Sequence, residues 1–186
     1  MLSVEPRSEK LLLDDASWAW IIGQACGLIA LALCILGFAS KRDDRLFLCL
    51  LIANVAFTLQ FVMLASPVAA AITALIVVRI QLVRRFKGSS PVMAAMLVAT
   101  LAVALPGLAT WRELWPLAAG LIGTVAMFKF EGIVMRWLLA AAAFCWVVTN
   151  LLAGSIGGTA AELLILVTNL ITIGRLMRDR SARAPG

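Results

Sequence analysis

The chain reads as a series of apolar runs separated by short polar or charged punctuation. The runs fall at 17–38, 47–64, 67–83, 92–109, 114–130, 136–153 and 158–176, most of them 17 to 19 residues long. About 20 apolar residues carry a helix across roughly 30 Å of hydrocarbon, so the pattern predicts seven transmembrane helices of near-minimal length. Basic clusters (SKRDDR at 40–45, RRFKGSS at 84–90) alternate with tight turns (ASP at 65–67, AGSIGG at 153–158). Every backbone group must be satisfied internally in lipid, which makes the expected fold class all-α and polytopic.

The pattern also repeats. Span 1, a basic loop, span 2, a tight turn, span 3 and a basic tail recur as spans 5, 6 and 7. QACGLI at 24–29 echoes LAAGLI at 117–122, an offset of 93, and VVRIQLVRR at 77–85 echoes VTNLITIGR at 167–175, an offset of 90. A single intervening span leaves both three-helix units in the same orientation, which predicts a parallel 3+1+3 repeat. The expected divisions are a polar tail at 1–16, a first repeat at 17–86, a linker helix at 87–112, a second repeat at 113–178 and a basic tail at 179–186.

Composition agrees with a bilayer protein: 63% hydrophobic, 14% charged, with mean hydropathy +1.02. The net charge of +6, from 16 basic and 10 acidic residues, reads as a topology signal and not as a nucleic-acid surface. With the N-terminus outside, 12 basic residues lie inside, 3 outside and one, Arg79, within a span. The expected orientation is therefore N-terminus periplasmic and C-terminus cytoplasmic. The first sixteen residues carry four acids and two bases, which fits a polar tail better than a cleavable signal. Cys26, Cys34, Cys49 and Cys145 all lie in apolar runs and read as packing residues. There is no histidine, no tyrosine and no pair of carboxylates placed for catalysis. No enzyme activity, metal or cofactor is expected.

Candidate chemistry rests on polar residues inside spans. Thr159 and Glu162 have the spacing of a capping box, with a buried proton-carrying carboxylate as the other reading of Glu162. Asn169 follows on nearly the same helix face, as an interhelical hydrogen bond or a contact for a polar solute. Arg79 either snorkels to the inner interface or faces a cavity beside Asn169 or Thr172. Trp146 and Asn150 share a face, an aromatic plate beside an amide that suits a flat polar solute or an interface anchor. Asn54, Gln24 and Gln60 add further polar groups, and Gly23 with Gly27 reads as a close-packing face.

AGSIGGTAAE at 153–162, Asn169, Arg175, SKRDDR, EGIVMRW at 131–137 and CWVVTN at 145–150 resemble the bacterial inner membrane YgjV family, from about residue 19 to 180. The resemblance implies an inner-membrane location and leaves activity open. The architecture resembles the SWEET and PQ-loop transporters, whose spans bend at prolines; here spans 1, 2 and 6 have none and Pro116 only begins span 5. SWEET-like sites use asparagines in both third helices. Asn169 fills one such place, with Ile76 or Arg79 opposite.

Two functions follow as expectations. One is a transporter or facilitator of a small polar solute, sugar-like or an organic acid, working by alternating access with Asn169, Arg79, Trp146, Asn150, Asn54 and Thr172 at its site. The other is a non-transporting receptor or scaffold in which the same groups join helices. The expected partners are the lipid bilayer and that solute, with no nucleic acid and a homo-oligomer left open. A transporter should show a polar cavity near the midplane, and a scaffold a closed core.

Overall fold

The computed structural model describes residues 6–39 and 43–183. Their secondary structure is helical throughout: α1 (Pro6–Ala39), α2 (Asp43–Met63), α3 (Pro67–Phe86), α4 (Ser90–Ala104), α5 (Leu114–Lys129), α6 (Gly132–Leu152) and α7 (Ile156–Arg183). Two 3-10 turns, Leu105–Gly107 and Trp111–Glu113, separate α4 from α5. Among the described residues, five helices are long and apolar enough to cross a membrane, while the apolar stretch of α2, Leu48–Met63, is shorter. The 16 residues of α5 span only about 24 Å at 1.5 Å per residue.

The element boundaries refine the sequence reading. α1 starts at Pro6, so much of the expected polar tail continues the first helix, and α7 runs to Arg183 into the expected basic tail. The fourth span ends earlier than 109, because Pro106 has no N–H for the α-helical ladder and the chain tightens into a 3-10 turn.

Helices adjacent in sequence pack as neighbours, from α1 to α3 and from α5 to α7. The two sets meet where α1 packs on α7 and α3 on α5, and α4 lies against α3 and α5. Glycine makes the α1–α7 approach close. A Cβ on Gly157 would run into the backbone of Gly27 and Leu28, and Gly27 faces Gly158 N, Ser155 Oγ and Gln60 Oε1. Gly23 packs against Met63 at the end of α2 and Leu64 just beyond it, so the expected small-residue face does serve helix packing.

The α2–α3 and α6–α7 turns share one hydrogen-bond plan. Ser66 N donates to Phe61 O at 2.9 Å, and Ser155 N to Asn150 O at 2.9 Å. Ala65 N reaches Val62 O and Gly154 N reaches Leu151 O. These paired bonds form the Schellman motif, which places its penultimate residue in the left-handed region. That residue is Gly154 (φ 68°) in one turn and Ala65 (φ 53°) in the other. The opposite end of the bundle carries the basic connections, where Gly88 N bonds Phe128 O and Lys87 Nζ meets Glu131 Oε1 at 2.7 Å.

Candidate functional site

The central polar contact joins α2 to α6. Gln60 Nε2 donates to Asn150 Oδ1 at 2.8 Å, and Asn150 Nδ2 donates to Trp146 O at 3.0 Å. One residue along α2, Phe61 stacks on Trp146 with centroids 5.8 Å apart. All four side chains are buried, Gln60 completely. Asn150 and Trp146 face inward together because they stand four residues apart on one helix. Gln60 Oε1 lacks a partner among the described residues, in a core where an unmet polar atom is costly.

Beside this pair, Gln24 of α1 clamps the α6–α7 turn. Its Nε2 donates to Gly154 O at 2.7 Å, and its Oε1 accepts from Ile156 N at 3.0 Å. Ser155 Oγ accepts from Gly158 N at 3.0 Å. Together they satisfy N–H groups that the first turn of α7 leaves free.

A cavity of about 550 Å³ opens at this tight-turn end of the bundle. Its lining includes Ser66, Thr110, Trp111, Arg112, Glu113 and Thr149. Leu64 and Ala153 also line it, placing it about one helical turn beyond Gln60 and Asn150. The volume lies in the ordinary range for small-molecule sites. Partial burial pushes the Glu113 carboxyl above its usual range. Arg112 and Glu113 make no ion pair with each other or with any other described residue. A second, apolar hollow of about 390 Å³ lies along Gly154, Ile156, Thr159 and Leu163.

Several expected site residues are placed elsewhere. Arg79 is buried at 7% exposure and does not snorkel. Its Nη1 donates to Gly120 O at 3.1 Å and to Thr124 Oγ1 at 3.4 Å, in a pocket walled by Met96 and Thr100 of α4. Gly123 makes room for it: a Cβ there would stand 2.8 Å from Nη1. Asn169 instead accepts from Arg136 of α6 at 3.4 Å. The expected meeting of Arg79 with Asn169 is thus replaced by two separate contacts, because Arg79 turns toward α5 and Asn169 toward α6. Asn54 and Thr172 bond within their own helices, to Leu50 O at 2.8 Å and Thr168 O at 2.8 Å.

The expected capping box at Thr159 and Glu162 is also corrected. The α7 cap is Ser155, one turn earlier, and Thr159 Oγ1 donates back to Ser155 O at 2.6 Å. Glu162 is buried inside the helix, too far along it to reach the free N–H groups of the first turn. Sequence reasoning missed Ser155, although a serine directly before an apolar helical run is a cap signal. It also gave no role to Thr110–Glu113, which falls between the fourth and fifth spans.

The fold and this site define a polytopic helical membrane protein with a polar vestibule at one end and a closed polar contact beneath it. Residues 21–180 match the family of bacterial inner membrane proteins typified by YgjV. The chain is 31% identical over 160 residues to inner membrane protein YgjV of Escherichia coli (strain K12), covering 86% of this chain and 87% of the relative. It therefore belongs to the YgjV family and is a multi-pass inner membrane protein. No solved structure matches it.

Proposed function

We propose that this protein carries a small polar solute across the inner membrane by SWEET-like alternating access, through a 3+1+3 arrangement of seven spans. The carrying observation is the vestibule, which stands about one turn beyond a buried amide pair joining α2 to α6. Opening it to the other side requires separating Gln60 from Asn150 and Phe61 from Trp146.

The packing supports two equivalent units. Exchanging α1 for α5, α2 for α6 and α3 for α7 turns each helix pair that packs within or between the units into another that also packs. The equivalent turns align at an offset of 89 residues, Ser66 onto Ser155, close to the sequence echoes at 90 and 93. At this offset Arg79 corresponds to Thr168 and Asn169 to Ile80. In this reading the linker helix α4 flanks the interface, the vestibule faces the periplasm and the basic end faces the cytoplasm. No bond-making chemistry is part of it.

The second reading is a non-transporting receptor or scaffold. It is favoured by the buried contact of Gln60, Phe61, Trp146 and Asn150, which fills the meeting of α2 and α6. The two separate in purified proteoliposomes loaded with sugars, sugar acids or amino acids and assayed by counterflow. Transport predicts exchange of at least one solute above protein-free vesicles. Ligand-induced stabilisation without exchange across the panel would favour the receptor. Reporter fusions placing both tails on one side would remove the seven-span arrangement.

A further inference from the structure

We propose that the vestibule selects a small zwitterion of the α-amino acid type, its ammonium held by Glu113 and its carboxylate by Arg112. This deepens the reading above, since it takes the vestibule as the solute's entry site.

Both charged residues line the same cavity, yet neither is paired with a described residue. Elsewhere among the described residues opposite charges do pair, Lys87 with Glu131 at 2.7 Å. Arg112 and Glu113 are consecutive in a single 3-10 turn, and both reach the one cavity. A cavity lined by one charge of each sign suits a solute that carries both. The arginine offers a planar fork matched to a carboxylate. The half-buried glutamate is already partly desolvated, so a cation reaching it meets less competition from water. Trp111 adds an aromatic wall on which an ammonium can rest. Ser66, Thr110 and Thr149 supply hydroxyls for a polar side group.

A simple sugar would leave both charges unanswered, and an organic acid would answer only the arginine. A zwitterion answers both. Its neutrality overall also lets it approach a site that contains one charge of each sign.

The test uses the full chain purified in detergent, with L-serine, L-serinamide, glycerate and glycerol as probes of matched size. Thermal midpoints read binding, because a ligand that favours the folded state raises them. L-serine should stabilise the wild type at about a tenth of the concentration needed for serinamide or glycerate. Glu113→Gln should weaken serine about tenfold or more and leave glycerate unchanged. Arg112→Gln should weaken serine and glycerate and leave serinamide unchanged. Equal effects of serine and glycerol, no effect of any probe, or variants that bind serine like the wild type would each overturn the inference. The wild-type probe series decides the matter even if a variant folds poorly. Serine binding without counterflow would uphold the inference while removing transport. Counterflow of glycerate or a sugar without serine binding would do the reverse.

Discussion

Asn150 and Gln60 are unequal partners, and replacing each should expose the difference. Asn150→Ala removes the acceptor of Gln60 Nε2 and leaves Gln60, with its Oε1 already unmet, without a partner at full burial. Leaving a buried donor unsatisfied costs about 1–3 kcal/mol, and the lost side-chain volume adds to it, so roughly 2–4 kcal/mol is expected. Gln60→Met keeps much of the shape and removes the orphaned Oε1, but it takes the donor from buried Asn150 Oδ1. One unmet acceptor replaces another, so it should cost less than about 1.5 kcal/mol. In the double variant no amide is stranded at position 60, so the combined loss should fall short of the sum by about 0.5–2 kcal/mol. Unfolding in mixed micelles, measured for all four proteins, yields this coupling directly and cancels the volume effect at position 150. Simple additivity within about 0.3 kcal/mol would refute the reasoning that the pair works as a unit. Measured hydrogen bonds inside membrane proteins average only about 0.6 kcal/mol, so the stranded group and not the bond itself must supply the larger effect.

Four further outcomes follow from the same geometry. Ser155→Ala should lower stability by about 0.5–2 kcal/mol through loss of the α7 cap, whereas Thr159→Ala should lie within about 0.5 kcal/mol of the wild type; equal losses by thermal unfolding would restore the cap to Thr159. Gly157→Ala drives a Cβ into the α1 backbone and should prevent normal assembly, while Gly174, with open space around it, should tolerate alanine or gain up to about 1 kcal/mol; gel-filtration profiles and melts separate the two. Arg79→Met exchanges a buried cation that has no acidic partner among the described residues for an apolar chain, and should be neutral or stabilising by up to about 2 kcal/mol; a strong loss of stability would show that its bonds to Gly120 and Thr124 matter more than its burial. The Lys87 contact holds the Glu131 carboxyl below its usual range, so its stabilisation is full above that range and fades as the pH falls through the lowered value. Melts from acid to neutral pH should lose this component in Glu131→Gln and in high salt, and a wild-type profile unchanged by either would contradict it.

Helices announced themselves in the sequence because a bilayer demands long apolar runs, and little else satisfies that demand. Turns were legible for a similar reason: Ser66-Pro67 and the glycines at 154, 157 and 158 restrict what the backbone does there. The polar contacts were harder to foresee. Arg79 and Asn169 stand at comparable places in α3 and α7, but the turn offset of 89 puts them one position out of register. One position rotates a helical side chain by about 100°, enough to send one residue toward α5 and the other toward α6. Asn150 could be placed on a face with Trp146, yet its partner Gln60 belongs to a helix 90 residues away, and no local spacing reveals such a pairing. The vestibule was hidden for a further reason. Its walls come from three separate connections, and a connection has no periodicity to read.

The brevity of α5 has a consequence for the surrounding lipid. A helix of about 24 Å facing a core of about 30 Å would force the bilayer to thin or its flanks to stretch toward water, at a cost that grows with every ångström of mismatch. α4 packs along α5, with α3 and α6 on its other sides, so neighbouring protein stands where much of that lipid would be. The mismatch is thus transferred from acyl chains to helix contacts, which do not respond to membrane thickness. Thickness should instead be felt by the outward faces of α1 and α7, the two longest helices in the bundle. In thicker bilayers these can lose tilt while the short helix keeps its place, so lipid length acts on the protein through its tilt rather than through the fit of α5.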